Sequence, residues 1–288
     1  MTLIACPICR NSDLKREFNL SAYRIGRCPS CGVLFNETYY ENGAFRTKLF
    51  EESYYHAVQA RAFENRLENY QEDPSLPVFQ KYLEWVEKKT RPGRVLDVGC
   101  AFGTFLKVAQ GRGWAPHGVE ISEYASSLAR KTWNFPVFSG DLGDCPFERG
   151  FFNLVTFWDV IEHVERPGEN LRAAHAFLAP GGFLLITTDN ARGLIPLIAG
   201  GLYRLSFGRW TYPTRKFFIP HNTCFFDRES LGRLLESAGF KPVHWEGIDY
   251  PLGKMNLSAA ERMAVAALYK LGDLARLNSQ FLVIAQKS

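Results

Sequence analysis

The sequence predicts an α/β protein: a doubly wound, mostly parallel sheet of seven strands with helices on both faces, preceded by a small cysteine-held module. Three observations carry this. From residue 78 onward, apolar β-branched segments alternate with segments of helical period, the pattern of strands buried on both faces. The first of these strands, in "VLDVGCAFGTFL" at 95–106, collapses into glycines before a helix begins, as when a strand turns tightly into a helix N-terminus. Ahead of it, Cys6, Cys9, Cys28 and Cys31 are spaced C-x2-C-x18-C-x2-C.

Bulk properties narrow the classes. A chain of 288 residues suits one large α/β domain plus a small attachment. Net charge is +4, from 34 basic and 30 acidic residues, and no polybasic block appears, which disfavours nucleic acid as a partner. "MTLIACPICR" has no basic start leading into an apolar core, and no run of about 18 apolar residues exists, so neither a signal peptide nor a spanning helix is expected. Four of the seven cysteines form two CxxC pairs, while Cys100, Cys145 and Cys224 are scattered. That usage predicts a cytoplasmic protein with metal-bound thiolates.

Residues 1–40 read as a zinc ribbon. Four thiolates suit tetrahedral zinc, and each CxxC turn brings two sulfurs to one ion. Pro7, Pro29 and Gly32 sit where ribbon knuckles place them, and "EFNLSAYRIGR" reads as strand material around a turn. Four cysteines leave no open coordination position, so the zinc is expected to be structural. The module has few apolar side chains, so the ion would supply its folding energy. Residues 41–77 read as a helical linker: tyrosines first, then a helical period placing Phe63, Leu67 and Tyr70 on one face. The prolines of "QEDPSLPVF" mark its end.

Residues 78–288 form the main domain. A helix, "VFQKYLEWVEKK", leads to the strand "RVLDVGC", the helix "TFLKVAQGRG" and the strand "APHGVEIS". The helix "SEYASSLARKT", the strands "PVFSGDL" and "FNLVTFWDV", the helix "NLRAAHAFLAPGG" and the strand "FLLITTDN" follow. "KPVHWEGID" and "QFLVIAQK" complete the sheet, the last as an antiparallel strand at its edge. The first loop is G-x-x-x-G after Asp97, not the G-x-G-x-x-G of a pyrophosphate site; an acid there suits a cationic or amine-bearing ligand. Glu120 closes the second strand, where a carboxylate can take both hydroxyls of a ribose, and Asp141 follows the third.

These motifs resemble the class I S-adenosylmethionine-dependent methyltransferases, a Rossmann-like fold, over about residues 78–288. "VLDVGCAFGTFL", "GVEIS", "GDLGDCPF" and "FNLVTFWDVIEHVERP" look like that family's first four motifs, and "LAPGGFLLITT" like its fifth-strand region. Ala101 stands where glycine is commoner. The resemblance implies S-adenosylmethionine as cofactor. Asp97, Gly99, Cys100, Ala101 and Gly103 would lie at its methionine end, Glu120 and Ile121 at the ribose, Asp141 and Leu142 at the adenine, and Trp158 and Asp159 over it. Within the family the chain is similar to quinone-biosynthesis O-methyltransferases of types 11, 12 or 23 and to zinc-ribbon enzymes of sugar and natural-product pathways. The former carry an acid-x-x-Glu-His pattern, matched by Asp159, Glu162 and His163, which can hold a divalent cation or serve a substrate hydroxyl. The bland alternative is that "DVIEHV" only starts a helix.

The stretch 190–225 falls where the family carries a lid or substrate segment. "GLIPLIAGGLYRL" reads either as a buried helical hairpin or as an interfacial segment touching a membrane or lipid substrate. In "HNTCFFDRESLGRLLESAGF", Asp227 is a fair N-cap, and the resemblance turns His221 and Asn222 toward the cleft. The late helix at 256–277, with Met263, Val265, Ala266, Leu268 and Leu271 on one side, reads as core or dimer surface, so monomer and homodimer both stay open. The leading reading is O- or C-methylation of a small-molecule, sugar or lipid-linked acceptor, with His163 or His221 as proton acceptor. An RNA methyltransferase gripping RNA through the ribbon is the alternative, although "FWDV" stands where base N-methylating enzymes carry Asn/Asp-Pro-Pro-aromatic. A non-catalytic zinc adaptor fits poorly with Glu120 and Asp141 both present.

Overall fold

The computed structural model describes residues 4–45, 70–255 and 257–288. Phe63 and Leu67 of the expected linker helix therefore lie outside the described residues; Tyr70 opens a single 3-10 turn, Tyr70–Glu72.

The cysteine module folds as three antiparallel strands, β1 (Lys15–Asn19), β2 (Arg24–Arg27) and β3 (Leu34–Asn36). Its two knuckles share one geometry. The Arg10 amide donates to the Cys6 carbonyl at 3.0 Å and the Gly32 amide to the Cys28 carbonyl at 2.8 Å. The residue after each pair is left-handed, Arg10 at φ +63° and Gly32 at φ +80°.

In the main domain come β4 (Arg94–Val98), β5 (Ala115–Glu120), β6 (Val137–Ser139), β7 (Phe152–Trp158) and β8 (Leu178–Asp189), then β9 (Cys224–Phe225), β10 (Phe240–Ile248) and β11 (Gln280–Lys287). Seven of them form one sheet in the order β10-β11-β8-β7-β4-β5-β6. The pairs among β4 to β8 are parallel; β11 is antiparallel to both its neighbours. The last strand is thus antiparallel as expected, but it inserts one place in from the edge, which β10 occupies. Side chains alternate between two cores. Leu96, Val155 and Ile186 face a cluster with Leu231 and Leu234, while Val95, Leu154 and Leu185 face one with Phe79, Leu83 and Leu106.

Three local readings change. "LAPGG" does not end a helix: the helix stops at Phe177 and β8 starts at Leu178, with a register slip against β7 between Phe152 and Leu154. "GLIPLIAGGLYRL" is not a hairpin but one unbroken helix, Leu194–Leu205, because Pro196 falls in its first turn and Gly200 and Gly201 stay helical; it packs with a second helix, Tyr212–Phe217, and only one side is buried. Gly200 lies against the ribbon's Phe18, where an added Cβ would sit 3.4 Å from the ring, whereas Leu205 and Phe207 are 79% and 91% exposed. The late helix, Ala259–Ala275, starts with a capping box between Ser258 and Glu261. Only Gly272 of it is buried, and Met263 and Leu271 are exposed, so it supplies little core. The N-cap at Asp227 forms as expected, accepting the Ser230 amide at 2.7 Å.

β9 joins the other sheet. It pairs with β3, Leu34 opposite Phe225 and Phe35 opposite Cys224, and makes the ribbon four-stranded. Phe18, Leu20, Tyr23, Ile25 and Leu34 share a core with Phe218 and Phe225.

Candidate active site and four-cysteine centre

The carboxyl ends of the parallel strands carry most of the predicted residues, as open α/β sheets place ligands. On the β4–β5 side, the backbone turns sharply after Val98. Gly99 at φ +69° and Gly103 at φ +81° are left-handed, and so is Ala101 at φ +46°. Gly99 is further constrained by packing: a Cβ there would lie 2.6 Å from a Val160 methyl. The Glu120 carboxylate, almost fully buried, ties this loop to the next helix. Its Oε2 accepts the Ala101 amide and its Oε1 the Ser122 amide, both at 2.9 Å. Each oxygen keeps acceptor capacity for a ligand hydroxyl. Burial holds the Glu120 carboxyl above its ordinary range. Asp97, also buried, accepts the Thr156 hydroxyl at 2.6 Å, and burial pushes its pKa up to about 8. The Cys100 thiol is packed into the core, where a Cβ on Gly118 would meet it at 2.6 Å, leaving its backbone for the loop. Ile121 is exposed, Leu142 is buried, and Asp141 is an exposed N-cap of the turn Leu142–Asp144.

On the β7–β8 side the chain gathers acids. Asp159 is left-handed at φ +55°. Its Oδ1 accepts the Thr187 hydroxyl at 2.9 Å and the Gln280 amide at 3.0 Å; that amide also reaches Asp189 at 3.3 Å. The Asn222 amide donates to the other Asp189 oxygen at 3.5 Å. Burial, then the charge of Asp159, pushes Asp189 up to about 7. Burial, then Asp159 and Asp189, holds Glu162 far above the carboxylate range. Four buried polar atoms here have no protein partner: Trp158 Nε1, Glu162 Oε2, Thr188 Oγ1 and Asn222 Oδ1. Thr188 still lies close enough to Glu162 to favour its charged form, and a bound water or ligand would satisfy the remaining atoms. The Trp158 ring packs edge-on against Phe79 and tilts over Phe105, 4.7 and 5.2 Å between centroids. A cavity of about 60 Å³ opens beside it, lined by Phe79, Trp158, Asp159, Thr187, Asp249 and Gln280.

His163 is the nearest imidazole to this cluster in sequence. Its Nδ1 lies 3.4 Å from the His221 carbonyl. As donor there, Nδ1 holds the proton and leaves Nε2 with a free lone pair. His163 is exposed, and partial desolvation by the surrounding protein lowers its pKa below the ordinary imidazole value. The hydrogen bond comes from the His221 backbone, and the His221 side chain opposes the charged form of His163. The ligand atoms of Asp159, Glu162 and His163 do not converge as a metal site; among the described residues only Cys6, Cys9, Cys28 and Cys31 do. Their sulfurs lie within 4.8 Å of one another, with Cys6–Cys31 and Cys9–Cys28 at 3.5 Å. Tetrahedral zinc with Zn–S of about 2.3 Å asks for sulfurs about 3.8 Å apart, so the four side chains fit that ion. A wider groove of about 870 Å³, along the helix Arg228–Ser237 and β10, holds none of these groups.

Residues 63–245 match the methyltransferase domain family. The chain belongs to that family. The methyltransferase is 28% identical over 186 residues to a ubiquinone biosynthesis O-methyltransferase of Thiobacillus denitrificans, spanning 60% of this chain and 76% of that one. Among solved structures it resembles an S-adenosylmethionine-dependent methyltransferase of Archaeoglobus fulgidus, with TM-score 0.53 and 22% identity over 78% of this chain and 99% of that one. It also resembles the geranyl diphosphate C-methyltransferase of Streptomyces coelicolor, with TM-score 0.51 and 16% identity over 73% and 77%; these two likenesses bear on fold. The methyltransferase is an S-adenosylmethionine-dependent enzyme of the class I fold. Sequence reading missed Asp189, Thr187, Thr188 and Gln280. The signal for the first three was present: "TTD" ends an otherwise apolar strand in polar residues. Gln280 gave none, because it reaches the site only through the reversed direction of β11.

Proposed function

We propose that the protein methylates an oxygen or carbon of a small-molecule acceptor, with the donor on the β4–β5 side and the acceptor over β7 and β8. The observation carrying this is Glu120: a buried carboxylate, clamped between the glycine loop and the next helix, in a chain of this family. In this reading Glu120 holds the ribose of S-adenosylmethionine, and the loop from Asp97 to Gly103 borders its methionine end. Ile121 adjoins Glu120 at the ribose, and Asp141 and Leu142 border the adenine side. When bound, the cofactor supplies a methyl group already activated by its sulfonium. The chain's own task is to hold the acceptor in line and take a proton from it. His163 Nε2 is the base, and Asp159, Glu162, Asp189 and Asn222 orient the acceptor. His221 holds His163 through its carbonyl, a smaller role than a base.

The four cysteines hold one structural zinc, and the chain divides into a ribbon at 1–40, a linker at 41–77 and a catalytic domain at 78–288. Free cysteines throughout the described residues fit a reducing, cytoplasmic setting. Among those residues no helix is long and apolar enough to cross a membrane. A peripheral contact has support in the segment 192–217, which has five basic residues, no acid and exposed Leu205, Phe207, Trp210 and Tyr212. Sedimentation with phosphatidylserine vesicles tests it, and equal binding to uncharged vesicles or none counts against it.

Calorimetry tests the central reading. The wild type is expected to bind S-adenosylmethionine at about micromolar strength, and Glu120→Ala to lose about 1.5 to 3 kcal/mol. Unchanged affinity in that variant overturns the assignment. Elemental analysis of reduced protein is expected to find one zinc per chain.

A further inference from the structure

The segment that carries His221 and Asn222 is held from two sides. Toward the ribbon, the fully buried Asn36 grips both ends of the turn. Its Nδ2 donates to the Pro220 carbonyl at 3.0 Å, and its backbone N–H donates to the Thr223 carbonyl at 3.0 Å. The Asn36 Oδ1 is also the N-cap of the helix Glu37–Glu41, accepting the Tyr39 amide at 3.1 Å. Just beyond, Cys224 and Phe225 pair with β3.

Toward the active site, the same turn holds the loop after β7. The Thr223 amide donates to the Glu162 carbonyl at 2.7 Å and the Cys224 amide to the same oxygen at 3.2 Å. The Thr223 hydroxyl reaches the Glu162 and Val164 carbonyls at 2.9 and 2.7 Å. The ribbon touches this loop directly as well, through the Tyr40 hydroxyl on the Glu165 carbonyl at 2.9 Å. At its far end the segment meets the catalytic sheet, where Phe226 bridges Asn190 and accepts the Ala191 amide at 2.8 Å. Most of these bonds end on backbone groups, and those of Asn36 and Thr223 are buried or partly buried, which fixes the geometry of the turn. What they position is chemical: the His221 carbonyl that orients His163, and the Asn222 amide that meets Asp189.

We infer that the four-cysteine module is a positioning device for the acceptor side of the active site, acting through Asn36 on the His221–Asn222 turn. This rests on the reading that His163, Asn222 and the neighbouring acids form the acceptor site. A module serving only as a stability clamp could dock on any surface of the catalytic domain. Here its strand edge, its buried asparagine and its Tyr40 all converge on the two loops that carry the groups proposed for the acceptor.

The test uses the full zinc-loaded chain. Asn36→Asp keeps the N-cap acceptor and replaces the donor to Pro220. Tyr40→Phe removes the hydroxyl that donates to the Glu165 carbonyl and lies 3.9 Å from the Cys224 sulfur, and serves if the first variant folds poorly. Zinc content and S-adenosylmethionine affinity are expected to be unchanged in both. Amide exchange at Thr223 and Cys224 is expected to quicken about three- to tenfold, the effect of one weakened hydrogen bond in a local opening. The His163 imidazole, followed by NMR, is expected to titrate at a higher pH as its surroundings loosen. Burial and His221 oppose its charge, while Asp159 and the bond to the His221 carbonyl favour it. Unaltered exchange and unaltered His163 titration in both variants overturn the inference. So does an equal rise in exchange across the β4–β5 loops, which would make the ribbon a global clamp. Wild-type protein that fails to bind the cofactor defeats the functional reading instead, and the exchange data still decide the mechanical link.

Discussion

On the cofactor side of the sheet edge the carboxylates are answered by the chain itself: Asp97 by the Thr156 hydroxyl, Glu120 by the amides of Ala101 and Ser122. On the side proposed for the acceptor, Asp159 and Asp189 are answered as well, by Thr187, Gln280 and Asn222, but Trp158, Glu162, Thr188 and Asn222 each keep a buried polar atom without a hydrogen bond. In the proposed reading the first half would be preorganised for the cofactor and the second would turn its unpaired atoms to the acceptor, its loops being held by the ribbon.

The sharpest way to break this contrast is at His163. His163→Ala is expected to cut turnover about 10²- to 10⁴-fold, the span of a lost general base, with cofactor affinity unchanged. His221→Ala is expected to do much less, because its contact is a backbone carbonyl that survives substitution. Steady-state kinetics with an accepted substrate, beside calorimetry, compares the two. The reverse ranking would move the base into the 190–225 segment.

A smaller effect separates the halves by pH. The Asp97 carboxyl is buried and its proton affinity is raised to about 8 from 3.8. Between those values the folded ligand-free protein holds a proton that the unfolded chain has released. Stability is therefore greatest at the acid end and falls as pH rises toward 8, by up to about 1.4 kcal/mol per pH unit. Asp97→Asn should flatten this slope, seen as a larger gain in melting temperature at pH 8 than at pH 5. Glu120, Glu162 and Asp189 shift the same way, so part of the slope remains. An equal gain at both pH values would remove Asp97 from the account.

The smallest expected change is at Ala101. A left-handed alanine costs about 1–2 kcal/mol, and glycine's extra freedom in the unfolded chain returns about 0.5–1 kcal/mol of that. Ala101→Gly should thus stabilise by about 0.5 kcal/mol without altering cofactor affinity, checked by denaturant unfolding. A loss of stability would mean that the loop needs the methyl group.

The glycine loop and Glu120, where the cofactor is proposed to sit, were legible because they are nearly contiguous: Asp97 to Gly103 span one strand end and Glu120 the next. The strand alternation and the cysteine spacing were legible for the same reason, since each is a local pattern. The acceptor half is assembled from Trp158–His163, Thr187–Asp189, Pro220–Cys224 and Gln280, which only the topology brings together. Two residues, Cys224 and Phe225, are too few to give a strand signal, so their place in the ribbon sheet could not be read. The apolar run in 194–205 gave its helix but not its burial, because hydrophobicity does not say whether a protein face is available to cover it.

The sharing of β9 also sets a timetable for synthesis. Asn36 and its partner Pro220 are 184 positions apart. A ribosome adding about 5–20 residues per second needs roughly ten to forty seconds to deliver the second after the first. The two cysteine knuckles can close on an ion early in that interval, but the β3 edge stays unpaired until residues 224–225 emerge, open to other strands. If the proposed zinc binds, its early capture would hold the nascent N-terminus in register through that wait, and scarce metal would be felt first as misassembly during translation.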